Sequence, residues 1–422
     1  MHKKVLLFAP YFPPRRRVGS IRPFRFATHL KMFGWEVVVI CIKDSKNKLT
    51  KKEEMMLEGI KVYEIETPID NTARKTESAE RTQKKVISNF IDNRFPIDTW
   101  LPLFWKNKKE IYKIMSAENP DVLWSTGDPW SGNYIAKELA VKFNIPWVAD
   151  FRDPWTLCNV RYDKRKWPAT LIDHKAESKI MQKADHVVFT AKATQQKYEK
   201  AYTVLNGKST TIYNSFDRMF FEKENKDLLD LIPQKKLNIL FLGKFRELST
   251  ANAIIDILLE VKKRDEGLLN DVHVYSFGEL INDDFKRAQK SGLERVFAEL
   301  KPVPNEDVIS LCNKFDLLLL STHPGRDDIV PAKLLEYLIS NVPIFSLAPN
   351  LEVGEILNRT NKGMQYLEAH YSQATTYIIE CIKAKKSGAM APFDRQANTE
   401  EIEAFSAYES TKKLVSIFEE LV

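Results

Sequence analysis

Lys333 and Glu336 stand three residues apart in an otherwise apolar run, V330-P-A-K-L-L-E-Y-L-I-S-N-V-P-I-F345. In a helix that spacing puts a cation and a carboxylate on one face, while Leu334, Leu335 and Leu338 turn toward a core. The run follows a buried-strand candidate, FDLLLLS (315–321), and a polar loop, THPGRDDI. Pro331 then falls at the first helical position, where a missing N–H costs nothing. A helix that starts at the C-terminal edge of a parallel sheet offers free N–H groups and partial positive charge to an anion such as a pyrophosphate. The competing account is an ordinary i,i+3 ion pair on a solvated face.

A second basic element, Arg15, Arg16 and Arg17, lies in APYFPPRRRVGSIRPFRFATHL, just after the first strand candidate. It is either a solvated loop or a clamp for a phosphate-bearing or membrane-associated molecule. Other chemistries find no residues. The seven histidines and four cysteines form no H-E-x-x-H, C-x-x-C or mixed cluster, so no metal ligand set is in view. There is no P-loop and no G-x-S-x-G elbow. Nothing resembles a nucleic-acid module, and Trp100, Trp105, Trp124, Trp130, Trp147 and Trp155 read as core.

The elements that must position these residues alternate between short apolar strands and longer helical patterns, the pattern of parallel sheets with crossover helices. Strands are expected at KVLLFAP, 36–42, 60–66, 121–126, 146–151, 185–190 and 209–214, and again at 237–243, 272–278, 296–300, 315–321 and 343–348. Most are unbroken apolar runs, as strands covered on both faces should be. At 422 residues the chain is too long for one core. We expect a first domain at 1–216, a linker at 217–236, a second domain at 237–398 and a C-terminal helix at 399–422 that crosses back. Residues 68–100 are charge-rich and fit no strand. A net charge of +7 is compatible with phosphate or membrane partners. The opening apolar run, about six residues, is short for a signal peptide, and no stretch reaches the length of a membrane span. Separated cysteines fit a reducing cytoplasm.

The strand, polar loop and V-P-A-K-L-L-E-Y-L together resemble the donor-site segment of family 4 glycosyltransferases, which have the GT-B fold: two Rossmann-like, doubly wound α/β domains facing a central cleft. The family's Glu-x7-Glu appears as Asp328 and Glu336. By resemblance, Glu336 binds the ribose of a nucleotide sugar and Asp328 faces the transferred sugar, with Pro331, Ala332 and Lys333 beside the diphosphate. The N-terminal loop resembles the family's glycine-containing loop, with Gly19 open to substrate and Ser20 as the N-cap. W124-STGDPWSGNYIAKELAVKFNIPWVADFRDPWT156 is also similar, which brings Asp128, Arg152 and Asp153 to the acceptor side with Arg15, Arg16 and Arg17. For Arg152 and Asp153 a local ion pair is the simpler account, and Asp128 is the better candidate to grip an acceptor hydroxyl. FLGKFREL resembles the strand-loop that supplies Lys244 and Arg246 to the diphosphate, and Gly278, Val303 and Asn305 fall in loops like those that hold the base.

The resemblance implies an enzyme that moves a sugar from a nucleotide-diphosphate sugar to a glycan or lipid-linked acceptor hydroxyl, as in bacterial surface polysaccharide assembly. Configuration is retained and no cofactor or metal is required. Asp128, Lys244, Lys333 and Asp328 are the expected catalytic group. The basic loop and 84–105 are segments able to touch the inner face of a membrane. A nucleotide-sugar epimerase on the same fold and a non-catalytic relative acting as a partner are the alternatives.

Overall fold

Long apolar strands flanked by amphipathic helices leave a chain little choice but layered α/β architecture, and two such layers form. The structure, a computed structural model, describes residues 3–15, 17–66, 93–162, 165–221, 232–278, 280, 282–389 and 395–422. Arg16, most of the 68–100 stretch and residues 222–231 of the expected linker lie outside the described residues. The chain divides into two compact units, Met1–Asn214 with Ala407–Val422, and Ser215–Ser406.

Among its described residues the first unit holds seven strands: β1 (Lys4–Phe8), β2 (Glu36–Ile42), β3 (Lys61–Ile65), β4 (Val122–Gly127), β5 (Trp147–Phe151), β6 (His186–Phe189) and β7 (Ser209–Thr211). Their order is β3-β2-β1-β4-β5-β6-β7. All pairs are parallel, with Leu6 against Val38 on one side and Leu123 on the other. Val5, Leu6, Leu7 and Phe8 are completely buried, as a central strand requires.

The second unit holds β8 (Leu237–Phe241), β9 (Val272–Phe277), β10 (Phe297–Leu300), β11 (Leu317–Leu320), β12 (Ile344–Ser346) and β13 (Gly363–Gln365). Their order is β10-β9-β8-β11-β12-β13, again all parallel. β13, sequence GMQ, was not expected, being three residues long and opening on glycine. Gly363 packs there because an added Cβ would collide with the Ile344 backbone.

Four helices position the residues of interest or close the fold: α1 (Val18–Leu30), α2 (Ala169–Lys183), α3 (Ala332–Leu338) and α4 (Ala407–Leu421). The unit break falls after Asn214, and Asn238 Nδ2 ties the 233–236 turn to β8 by donating to the Pro233 and Lys236 carbonyls, so that part of the expected linker belongs to the second sheet. Likewise Thr399–Glu403 stays with the second unit, where Arg359 pairs with Glu401 and Asn398 N–H donates to Thr360 O. Only α4 returns to the first unit, where Phe418 meets Trp35 edge-on at 5.3 Å and Tyr408 meets Phe33 at 5.0 Å. The outgoing and returning chains run side by side, Phe216 N–H donating to Phe405 O at 3.3 Å.

Candidate functional site

In the second unit the chain leaves β8 through Gly243, whose φ of 116° other residues adopt only with strain. Phe277 N–H closes onto Gly243 O at 2.8 Å, which joins the ends of β8 and β9. Phe241 and Phe245 stack across this turn, centroids 4.0 Å apart and planes within 8°. Tyr337 of α3 donates to Leu319 O at 3.2 Å and accepts from Leu242 N–H at 2.8 Å, so one buried hydroxyl fixes α3 against both β8 and β11.

That anchoring carries Lys333 over the β8 turn. Its Nζ lies 3.6 Å from the Phe241 centroid, and a Cβ added to Gly243 would sit 3.5 Å from the same atom. Burial pushes the Lys333 ammonium down to about 7, the charge of Arg246 pushes further, and Glu336 opposes both. Three residues expected from the sequence, Arg246, Lys333 and Glu336, are therefore within electrostatic reach of one another. Lys244 runs alongside Gly278 (φ 87°), where an added Cβ would meet Lys244 Nζ at 3.5 Å and Glu299 Oε1 at 3.6 Å. Glu299, on the edge strand β10, is not marked by the sequence, since a lone acid in FAEL carries no signal. The turn after β8 is closed by Arg246 and Ser249, each N–H donating to the other's carbonyl.

Other expectations change. Pro331 (φ −62°, ψ 133°) is the N-cap of α3 and not its first helical residue, because its ψ is extended. Asp328 is turned inward, only 6% exposed, with an oxygen 3.7 Å from Nε of the equally buried Arg326. Val303 and Asn305 follow β10, two strands away from β8, with Val303 half-buried and Asn305 exposed. His323 packs in its loop, accepting from Gly325 N–H at 3.0 Å.

In the first unit the loops after β1, β4 and β5 meet at the C-terminal edge of the sheet. Arg152 reaches over Gly19: a Cβ there would fall inside contact of Arg152 Nη1 and 3.0 Å from its Cζ. Arg152 Nη2 donates to Asp128 O at 3.0 Å, so Gly19, Asp128 and Arg152 form one cluster. Gly19 is thus closed over by a guanidinium. Ser20 does not cap α1. Arg17 is the N-cap, and Ser20 Oγ, from inside the first turn, donates back to Arg15 O at 2.7 Å. Arg15 is buried, donating to Lys43 O at 2.7 Å with its guanidinium 5.5 Å from the Trp100 ring, whereas Arg17 is exposed.

Around Asp128 stand residues that nothing in the sequence singles out. Trp100 Nε1 donates to Tyr11 OH at 3.2 Å, and burial with the Asp128 charge raises that hydroxyl to about 12. Asp98 accepts from Ser131 N–H at 2.7 Å and Trp100 N–H at 2.9 Å, yet burial lifts its carboxyl to about 6, with the Asp128 charge adding to it. Beneath them Arg22 forks onto Asp150, Nη2 to Oδ1 at 2.8 Å and Nε to Oδ2 at 3.0 Å, and also caps the carbonyls of Ile212 and Tyr213. Thr126 Oγ1 completes the Asp150 shell at 2.8 Å. Two acids of α2 brace the surrounding loops: Asp173 accepts from Ile97 N–H at 2.6 Å and Glu177 from Thr156 N–H at 3.1 Å. Among the described residues, no helix is long and apolar enough to cross a membrane.

Residues 23–219 match the family model described as Glycosyltransferase Family 4. Among solved structures, sucrose-phosphate synthase from Thermosynechococcus elongatus superposes with a TM-score of 0.69 at 12% identity, covering 99% of both chains. Anabaena HepE in complex with UDP-glucose gives 0.64 at 14% identity over 99% of this chain and 100% of that one. WaaG, a glycosyltransferase involved in lipopolysaccharide biosynthesis, gives 0.60 at 12% identity over 98% and 99%. These likenesses establish a shared two-domain fold. Comparison with curated proteins by sequence finds no match.

Proposed function

We propose that this chain, whose residues 23–219 match the Glycosyltransferase Family 4 model, is a GT-B glycosyltransferase whose second unit binds a nucleotide-diphosphate sugar and whose first unit binds the acceptor. The observation that supports the donor reading best is the meeting of Lys333 and Arg246 above the β8 turn, where the arginine charge lowers the proton affinity of the lysine. A diphosphate relieves that repulsion, and Lys244 on the same loop adds a third positive charge. Glu336, one turn along α3 from Lys333, is the group to accept from the ribose hydroxyls.

Transfer breaks the bond between the anomeric carbon and the diphosphate oxygen and forms one to the acceptor oxygen. The departing diphosphate gathers negative charge, which Lys333, Arg246 and Lys244 are preorganised to meet, and donors of that kind are worth about 2.7–4 kcal/mol each. We assign retention of configuration by attack on the face the diphosphate leaves, the acceptor proton passing to the leaving oxygen. Asp128, held beside Arg152 and Tyr11, is the acceptor-side hydroxyl contact. HepE was solved with UDP-glucose, which makes it the first donor to try, and glycans of bacterial surface polysaccharides or lipid-linked intermediates are the acceptors to try first.

Thermal unfolding of the wild type and Glu336→Ala against UDP, GDP, dTDP, ADP and CMP tests the reading. A ligand at 100 times its Kd adds about 2.7 kcal/mol, so one nucleotide should raise Tm in the wild type and not in the variant. If no nucleotide shifts the wild type, or the shift survives Glu336→Ala unchanged, the donor assignment fails.

A further inference from the structure

The outer side of α2 carries an apolar and basic face that the donor and acceptor assignments do not use. Where the helix begins, Trp167 is 80% exposed, Leu171 61% and Ile172 41%. Single exposed apolar residues are ordinary, but three large ones within six residues mark a surface that something covers. Beyond them the outer side turns to lysine. Lys175, Lys179 and Lys183 follow Leu171 at steps of four, which stacks all of them on one helical face. All three are exposed, as is Lys166 at the near end.

No exposed carboxylate answers these charges between Lys166 and Lys183. The two acids of that stretch, Asp173 and Glu177, are fully buried, where they hold the Ile97 and Thr156 backbone. The basic surface extends onto the helix Trp130–Phe143, which packs beside α2. Burial lowers the Lys137 ammonium below the ordinary lysine range, and the charges of Lys179 and Lys108 lower it further against the opposing pull of Glu138. Glu138 is itself paired with Lys108 at 2.7 Å. Lysines from three helices therefore converge on this side of the first unit.

We propose that this face docks the first unit on an anionic lipid surface, with Trp167, Leu171 and Ile172 entering the headgroup layer and Lys175, Lys179 and Lys183 meeting lipid phosphates along it. Tryptophan and aliphatic side chains beside a row of lysines is the composition of an interfacial membrane contact. Protein interfaces are poor in lysine and carry their cations as arginine, and a phosphate backbone alone would give Leu171 and Ile172 nothing to pack on. The face is separate from the loop Arg15–Arg17, in which Arg15 is buried. It is joined instead to the strand-like run that enters the Asp128 cluster: Lys166 N–H donates to Asn93 O at 2.9 Å and Arg165 Nη2 to Phe95 O at 3.0 Å, a few residues before Asp98 and Trp100. Docking thus brings that cluster near the lipid, but it does not rest on the donor or the acceptor reading.

The test is sedimentation of the full chain, without nucleotide, with vesicles of equimolar phosphatidylglycerol and phosphatidylcholine and, separately, of phosphatidylcholine alone. Wild type is compared with three double variants, each first checked for cooperative unfolding: Trp167→Ser with Leu171→Ser, Lys175→Ser with Lys179→Ser, and Lys412→Ser with Lys413→Ser on α4. A lysine near an anionic surface contributes about fivefold, so the α2 lysine pair should weaken partitioning to the anionic vesicles about 25-fold. The Trp167 and Leu171 pair should weaken it about tenfold or more. The α4 pair, on the helix that packs against α1, should leave it unchanged. Failure of the wild type to bind anionic vesicles, equal binding to both vesicle types, or an equal loss in the α4 variant overturns the proposal. Binding that falls with the lysines but not with Trp167 and Leu171 overturns the apolar insertion. Self-association of the wild type without vesicles, abolished by Trp167→Ser with Leu171→Ser, gives the face to a second copy of the chain and overturns the lipid assignment.

Discussion

The Lys333 ammonium rests 3.6 Å from the centroid of Phe241, the last residue of β8. Phe241 in turn stacks on Phe245 across the glycine turn. A cation over a ring face is attracted by the ring quadrupole, so the aromatic pair partly replaces the water that Lys333 gives up. The ring holds the lysine in place without consuming its N–H donors, which keeps its charge available for an anionic ligand.

Lys333 falls to about 7 in the folded chain, from 10.5 when free. Between those values the unfolded chain binds more protons than the native one, so this residue makes unfolding free energy rise with pH across the window, and its burial penalty is full below it. A diphosphate binds the charged form. Nucleotide affinity should therefore decline as pH rises above about 7 in the wild type, while Lys333→Arg, always charged, should hold its affinity. Calorimetric titration of the stabilising nucleotide over a pH series reads this directly, and an equal decline in both proteins would refute it.

Gly19→Ala places a Cβ against Arg152 and forces the guanidinium off the Asp128 carbonyl. The Cβ meets only the far end of a flexible side chain, which can swing aside, so the cost should lie at the low end of the about 1–3 kcal/mol of overpacking, and transferase activity should fall as the guanidinium is displaced. The same substitution in an Arg152→Ala background should cost much less. Chemical denaturation of the four proteins gives the coupling, and additive effects would show that Arg152 is not what Gly19 accommodates.

Arg22 and Asp150 are 4% and 0% exposed, and Arg22 makes five hydrogen-bonding contacts with Asp150, Ile212 and Tyr213. Asp150→Asn or Arg22→Met should each destabilise the first unit by about 3–5 kcal/mol, because the remaining charge is left buried. Arg22→Met with Asp150→Leu should be less damaging than either single change. Urea unfolding followed by tryptophan fluorescence distinguishes these, since Trp124, Trp130 and Trp147 all lie in that unit.

Phe418 of α4 is fully buried against Trp35. Phe418→Ala should cost about 3–5 kcal/mol and lower the unfolding transition of the first unit while sparing that of the second. Scanning calorimetry would show two transitions drawn apart; a uniform downward shift of both would argue against α4 as part of the first core.

Most of this architecture is legible in the sequence because parallel strands buried on both faces must be continuous apolar runs, and those runs announce themselves. β13 is not, since GMQ is too short to show periodicity. The convergence of Lys333, Glu336 and Arg246 can be read from motif order. The group around Asp128 cannot: Tyr11 and Trp100 are 89 positions apart, and nothing local in either marks the contact. Ser20 falls three residues and Pro331 one residue from their expected places at helix starts, and a serine that donates to a carbonyl and a serine that caps have the same local pattern. Arg22, in a run of aromatics, reads as a surface charge until Asp150 is seen beneath it.

The chain leaves the first unit at Asn214 and regains it only at Ala407. During synthesis this inverts the usual order in which domains are completed from the N-terminus. Every residue of the second unit is joined before α4 exists, so the nascent first unit must wait with Phe33, Trp35 and the outer side of α1 bare to water. Ala407–Val422, which follow the whole of the second unit in the chain, are the residues that relieve α1 of that exposure.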